Sequence, residues 1–318
     1  MDNTPFWIYL IFGAAILAGL ILDLGLISKK DTIVTFRKAM FQTLLWVSLA
    51  LGFFVFILVK KDEKTALEYL SAYIMEWSLS IDNIFVFIII FSSFKIKEKF
   101  YGRVLLIGIL MAIVFRFVFI SVGVALVDQF HWILYIFGLF LLYTGYKMFT
   151  INEEEEFDPK TSSVYRLMNR LLPLAPHDGD GKYVVRENGK PLYTTLFVVV
   201  VLLAAIDLVF ALDSIPAVIG ISKDKLVIYT SNIFAVLGLR SLFFILRTAV
   251  SKFDYLQQGI AVVLMFIGTK MLLEKWISAR FQNEMTQVLI SLGVILGCIF
   301  FSILYSIYHR KKGVPKDN

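Results

Sequence analysis

The sequence has 318 residues, of which 58% are hydrophobic and 18% are charged, with a formal net charge of +6. Soluble domains are about half apolar and about a quarter charged, so this composition excludes an ordinary water-soluble globular protein. The basic residues form no dense patch, which argues against nucleic acid as a partner. The single cysteine, Cys298, excludes an internal disulfide.

Apolar runs recur along the whole chain, and each approaches or exceeds the length of about 20 residues that an α-helix needs to span a bilayer. The runs are continuous rather than alternating, which favours helices over strands. They cover 6–28, 39–59, 66–91, 103–127, 132–150, 193–221, 226–246, 256–274 and 286–308. We therefore predict an all-α polytopic membrane protein with about nine transmembrane helices.

The distribution of Lys and Arg between these runs predicts the orientation of the chain. One set of connections and the C-terminal tail hold 20 basic residues, and the other set holds 7. Because basic residues concentrate on the cytoplasmic side, the N-terminus is predicted outside and the C-terminus inside. The expected location is a bacterial inner membrane, with lipid head groups as partners of the basic connections.

Two of the runs carry acidic residues near their middle. The third contains "EWSLSIDNIF" at 76–85, with Glu76 and Asp82, and the sixth contains "DLVFALDSIPA" at 207–217, with Asp207 and Asp213. In both motifs the second acid lies six positions after the first. A charge at the centre of a membrane helix costs about 2.5–3.5 kcal/mol on insertion scales, which makes such residues functional candidates.

Matches beyond the acids extend this likeness into an internal repeat. Arg116 in the fourth run corresponds to Arg240 in the seventh, and "GYKM" at 145–148 corresponds to "GTKM" at 268–271. An odd number of helices per repeat inserts the second copy from the opposite side, as in secondary transporters whose site lies at the midplane. The predicted units are 1–65 (two helices), 66–150 (repeat one), 151–192 (an inner loop), 193–275 (repeat two) and 276–318 (last helix and basic tail).

The polar groups of the two motifs are predicted to bind a cation. The predicted ligands are Glu76, Asp82, Asn83, Asp207, Asp213 and Ser214, with Ser78, Ser80, Arg116, Arg240, Pro216 and Asp23 in supporting roles. All the ligands offer oxygen, which suits hard or borderline ions such as Mg²⁺, Ca²⁺ and Mn²⁺. The same negative charge would repel an oxyanion such as tellurite.

Helix geometry limits which groups can meet. At about 100° per residue, Glu76 shares a face with Asn83, and Asp207 shares one with Ser214, whereas both second acids point elsewhere. Pro216 is expected to kink or break the sixth span near Asp213 and to free a carbonyl group for an ion.

Three further points are left open by the residues. The acids could instead pair with Arg116 and Arg240 in buried salt bridges, although four carboxylates would then face two arginines. Asp23 lies toward the predicted inner end of its span, where snorkelling or contact with a nearby lysine competes with ligation. In the inner loop, "KYVVRENGKPLYT" alternates around 188–189 and predicts a β-hairpin with a type I′ turn.

The motifs "EWSLSIDNIFVF", "FALDSIPAV", "SNIFAVLGLRSLFF", "FGLFLLYTGYKM" and "RENGK" resemble those of the TerC family, which includes Alx-type proteins and belongs to the LysE-like transporter superfamily. The resemblance covers nearly the whole chain. It implies a bacterial or organellar membrane protein linked to Mn²⁺ efflux and to metal supply for exported proteins, with the two acidic motifs handling the ion. One position departs from the family pattern: Ala204 stands where many members carry Glu, which leaves coupling, stoichiometry and metal preference open.

Two functions follow as hypotheses. The first is export of a divalent cation, with Mn²⁺ favoured and with coupling to protons that compete for the same carboxylates. The second is a non-transporting membrane partner in tellurium or stress resistance, or in the metallation of exported proteins. The sequence contains no nucleophile–base pair and no phosphate-binding loop, so we expect neither enzymatic activity nor a bound cofactor.

Overall fold

The computed structural model describes residues 5–27, 34–130, 132–150, 162–187, 189–247, 256–273, 276–277, 280 and 284–312. The helices are α1 (Phe6–Ile27), α2 (Phe36–Lys60), α3 (Glu63–Ser93), α4 (Tyr101–Gln129), α5 (Ile133–Thr150), α6 (Ser163–Leu171), α7 (Thr195–Ile221), α8 (Lys225–Leu246), α9 (Leu256–Leu272) and α10 (Glu284–Lys312). The strands are β1 (Val184–Glu187) and β2 (Lys190–Tyr193). The predicted all-α membrane architecture is confirmed.

Each of the nine predicted apolar runs coincides with one of the long helices. Within the described residues, α1, α2, α4, α7, α8 and α10 are long and apolar enough to cross a bilayer, and α5 and α9 contain shorter apolar stretches. The acidic helix α3 is not among those six. The count of nine crossings therefore stays a prediction.

Helix α8 is the centre of the bundle, with nearly all of its side chains buried. It packs against α2, α3 and α4, which shield it from the surroundings. A helix that is apolar on all sides is stable only in such a position. The outer helices instead expose large apolar side chains, as a lipid-facing surface requires; examples are Leu17, Leu44, Val114, Leu139 and Phe301.

The packing between helices has the pattern expected of the predicted repeat. α3 packs on α8, α4 packs on α7, and α5 packs on α9. If α3, α4 and α5 correspond to α7, α8 and α9, then the α3–α8 contact is equivalent to the α4–α7 contact. The α5–α9 contact is equivalent to itself. This exchange of contacts is the one that a two-fold relation between the predicted repeats would produce, and the inverted repeat stays a prediction.

Single residues at the crossing of α5 and α9 show the same exchange between the two predicted repeats. A Cβ atom on Gly138 would lie 2.9 Å from the carbonyl oxygen of Gly268, and one on Gly145 would lie 2.8 Å from that of Ala261. The repeat aligns Gly145 with Gly268, and the same offset aligns Gly138 with Ala261. The two contacts are therefore equivalent, and both depend on small residues that let helix backbones approach closely.

The inner loop folds as a small unit against the start of α4. β1 and β2 form the predicted antiparallel hairpin, in which Glu187 pairs with Lys190, and Gly189 has a positive φ of 77°. Asn188, the other predicted turn residue, lies outside the described residues. Arg103 donates to the carbonyl of Gly181, and Lys97 pairs with Asp178 at 2.8 Å, which fixes the loop to the bundle.

Candidate ion-binding site

A buried arginine joins acidic side chains from both predicted repeats. Arg116, on α4, donates from Nε to Asp207 Oδ2 at 2.7 Å and from Nη2 to Asp207 Oδ1 at 2.9 Å. Its Nη1 donates to Glu76 Oε1 and, at 3.1 Å, to Asn232 Oδ1. The exposed fractions of Glu76, Arg116 and Asp207 are 0%, 1% and 2%, so the whole group is out of contact with the surface. We call these four residues the Arg116 centre.

The seven-residue spacings place the neighbouring polar groups as predicted. Glu76 and Asn83 are both buried in α3, and Asp207 and Ser214 are both buried in α7. Seven residues turn a helix through nearly two full revolutions, which brings the side chains back to one face. The polar face of each helix is therefore turned inward.

In the Arg116 centre two carboxyl groups face one guanidinium, so the centre has a net negative charge whenever both acids are ionised. Four polar atoms here have no hydrogen-bond partner among the described residues: Glu76 Oε2, the Ser80 and Ser214 hydroxyl oxygens, and Asn232 Nδ2. The Ser214 hydroxyl lies near the Glu76 carboxylate without a well-directed hydrogen bond. Each buried polar atom that lacks a hydrogen bond costs about 1–3 kcal/mol of stability. Because several such atoms lie together here, they indicate a place where a ligand could bind.

A second buried ion pair lies elsewhere in the bundle. Arg240, on α8, pairs with Asp23, on α1, and the same carboxylate accepts from Gln42 Nε2 at 2.6 Å and from Trp46 Nε1 at 3.3 Å. Arg240 Nη1 has no hydrogen-bond partner among the described residues. Asp23 is buried, which does not fit snorkelling, and the alternative contact with a nearby lysine is not tested. Its ion pair with Arg240 and its hydrogen bonds to α2 hold it inside; the basic residues at 29 and 30 lie outside the described part of the chain.

The salt-bridge alternative is thus partly confirmed. Glu76 and Asp207 both pair with Arg116, but Arg240 binds the acid of α1 and neither of these two. Asp82 and Asp213 lie within α3 and α7, and the structure describes only their backbone positions. Among the described side chains, no three acidic, histidine or cysteine residues converge as a preformed metal-binding group.

The structure describes the surroundings of two of the supporting residues. Pro216 does not break its helix, since α7 continues from Thr195 to Ile221 around it. Neighbouring helices can compensate the hydrogen bond that a proline removes, and the residues after Pro216 are buried among them. Ser78 donates its hydroxyl to the Ile74 carbonyl at 2.7 Å, so its side chain is satisfied within α3.

Several polar residues of these centres were missed by the sequence analysis. Asn232, Gln42 and Trp46 lie in apolar runs, and an isolated polar residue in such a run was the available signal. Glu68 was missed as well: it is buried in α3 and accepts a hydrogen bond from the Ser222 hydroxyl.

Two spaces of different character lie along α4, on either side of Arg116. An open pocket of about 560 Å³ is lined by Ser121, Val124, Ala125, Gln129, Lys225 and Tyr229, and the Ser121 and Tyr229 hydroxyls are 2.7 Å apart. Ser121 and Tyr229 lie about one helical turn from Arg116 and Asn232, toward the C-terminal end of α4. In the opposite direction, a narrow space with mainly apolar walls, too small to admit a water molecule, borders Asp207.

The fold and the buried charges define this chain as a polytopic α-helical membrane protein with an internal ionic centre. The family model described as "Integral membrane protein TerC family" matches residues 61–313, and the chain belongs to that family. A membrane protein of Myxococcus xanthus without an assigned function is 40% identical over 306 residues, which cover 96% of this chain and 93% of that protein. A Rickettsia felis membrane protein is 39% identical, with 95% and 98% covered.

A named relative is the Alx protein of Escherichia coli strain K12, described provisionally as a membrane-bound redox modulator. It is 36% identical over 302 residues, with 92% of each chain covered. No solved structure matches this chain significantly.

Proposed function

We propose that this protein exports a hard divalent cation, with Mn²⁺ as the favoured cargo and with protons competing for the same carboxylates. One observation carries the proposal: Glu76 and Asp207, from helices of the two predicted repeats, meet at one buried and negatively charged point. Buried charges of this kind in membrane helices mark ion pathways and proton relays. In the proposed orientation the N-terminus lies outside a bacterial inner membrane, and the cation leaves the cytoplasm.

The chemistry of the available groups supports a hard ion. Glu76 Oε2 and the hydroxyls of Ser80 and Ser214 supply oxygen, and the second acids of the motifs, Asp82 and Asp213, lie within two helical turns of the first. Hard cations bind carboxylate and hydroxyl oxygen, whereas Zn²⁺ and Cu⁺ favour nitrogen or sulfur. The excess negative charge disfavours tellurite as the cargo.

Reconstitution tests this function directly. Purified protein in liposomes should move Mn²⁺ faster than protein-free liposomes, with Ca²⁺, Mg²⁺ and Zn²⁺ as competitors that rank selectivity. Glu76→Gln and Asp213→Asn should each abolish the flux while the protein still inserts. Ser71→Ala is the matched control, because this buried serine of α3 only donates to the Leu67 carbonyl. Wild-type flux equal to that of empty liposomes, or full flux in both acid variants, would contradict the proposal.

The alternative is a membrane partner that does not transport. The description of the Alx relative favours it, as does the use of both described motif acids in an ion pair with Arg116. Redox chemistry between two thiols of one chain has no support, because the sequence contains only Cys298. The alternative predicts that the purified protein moves no ion by itself and that Glu76→Gln changes only stability.

A further inference from the structure

Arg116 uses nearly all the carboxylate oxygen that the two described acids offer. It binds Oδ1 and Oδ2 of Asp207 and Oε1 of Glu76, and within the described part of the chain the fourth oxygen, Glu76 Oε2, has no hydrogen bond. A metal ion coordinated by both acids needs at least one oxygen from each. The ion and the guanidinium therefore require the same atoms of Asp207.

We propose that Arg116 is a tethered counter-cation, which pairs with Glu76 and Asp207 and offsets one of their two charges when cargo is absent, and which the cargo displaces. This inference rests on the proposed transport function. Two carboxylates without a cation would be costly to bury, so a carrier that has released its ion needs a substitute charge to reset. A guanidinium on a flexible side chain supplies that charge within the same site.

The surroundings of Arg116 allow such an exchange. Asn232 Oδ1 already accepts from Nη1 at 3.1 Å, and this neutral acceptor can hold one N–H group after the carboxylates have been surrendered. Arg240 differs, because its acid Asp23 comes from α1 and has two further donors on α2. The competition is therefore specific to Arg116.

Equilibrium binding of Mn²⁺ distinguishes a competing Arg116 from a structural one. Replacing a competitor strengthens Mn²⁺ binding, whereas replacing a structural residue leaves it unchanged or weakens it. Free Mn²⁺ is measured by electron paramagnetic resonance during titration of the full-length protein in detergent. Arg116→Gln should bind Mn²⁺ at least about tenfold more tightly than wild type, since a charge-assisted hydrogen bond no longer has to be broken. Arg116→Lys, which competes only as a point charge, should lie between the two.

Arg247→Gln is the matched control, because it removes another arginine–glutamate pair, that with Glu98, far from the Arg116 centre. Its affinity for Mn²⁺ should equal that of wild type. Unchanged or weaker binding by folded Arg116→Gln would overturn the inference. If that variant does not fold, Arg116→Lys decides the question, and affinity no greater than that of wild type overturns it.

Flux measurements separate this inference from the function on which it rests. In liposomes loaded with Mn²⁺, Arg116→Gln should retain exchange of labelled for unlabelled Mn²⁺ but lose at least about 90% of net efflux, because only net efflux requires the carrier to return without cargo. Loss of both activities, or retention of both, contradicts the tethered cation while wild-type transport stands. If wild type shows neither flux nor Mn²⁺ binding, the proposed function itself fails.

Discussion

The coupling free energy between Asp23 and Arg240 should be several kilocalories per mole. Each residue is expected to stabilise the fold only while its partner is present. Both side chains are almost fully buried, and Asp23 accepts hydrogen bonds from two further donors on α2. Removing one partner of a buried ion pair leaves an uncompensated charge and costs about 3–5 kcal/mol. Replacing both partners by apolar residues of similar size is close to neutral or stabilising.

The double-mutant cycle tests this expectation. Asp23→Leu and Arg240→Met should each lower the free energy of unfolding by about 3–5 kcal/mol, and the double variant should lose much less than their sum. Unfolding is followed in mixed micelles by tryptophan fluorescence over increasing denaturing detergent. If the two effects add, the residues are not coupled in the folded protein, and the pair does not hold α1 against α8.

Two other predictions concern regions away from the ionic centres. Gly138→Ala should destabilise the protein and lower its unfolding midpoint, because the added Cβ meets the Gly268 carbonyl at 2.9 Å, whereas Gly52→Ala has nothing within 4 Å and should be neutral or stabilising. At the inner loop, the hydrogen bond from Lys97 holds the pKa of Asp178 below its usual range. That contribution is complete above the unfolded pKa of about 3.9 and is lost as pH falls through the lower folded value. The loop amides should therefore stay protected from hydrogen exchange, corrected for intrinsic rates, down to about pH 4 and lose protection below it. Asp178→Asn should remove this dependence.

The helices could be predicted from the sequence because lipid imposes a simple rule on them. The run at 226–246 and helix α8 agree to within one residue. The predicted runs and the observed helices differ at the helix ends, where polar residues extend a helix beyond its apolar part. α3 begins at Glu63 rather than 66, since the Asp62 carboxylate accepts a hydrogen bond from the Thr65 amide and so caps it. The short helix α6, with polar and apolar residues interleaved, escaped a search for apolar runs.

The pairing of charges could not be predicted in the same way. The motifs identified Glu76, Asp207, Arg116 and Arg240 as intramembrane charges, but which acid meets which arginine depends on how separate helices pack. Pro216 shows the same dependence: α7 runs through it without a break, because neighbouring helices decide whether a lost backbone hydrogen bond is tolerated, and the predicted kink stays a prediction. Sequence patterns predict which helix and which helix face carry each residue, but the partners of each residue depend on tertiary packing.

The unequal partners of the two arginines explain how the centre can remain negative. Arg116 and Arg240 hold equivalent positions in the predicted repeats, and a strictly symmetric pairing would give each of them one motif acid. Asp23 instead engages Arg240 from α1, a helix that precedes the matched family region at 61–313. Glu76 and Asp207 must then share one guanidinium, and their excess negative charge is what a cation would neutralise. Under the proposed function, α1 thus contributes to the Arg116 centre without touching it, because Asp23 pairs with Arg240 and keeps that arginine from pairing with Glu76 or Asp207.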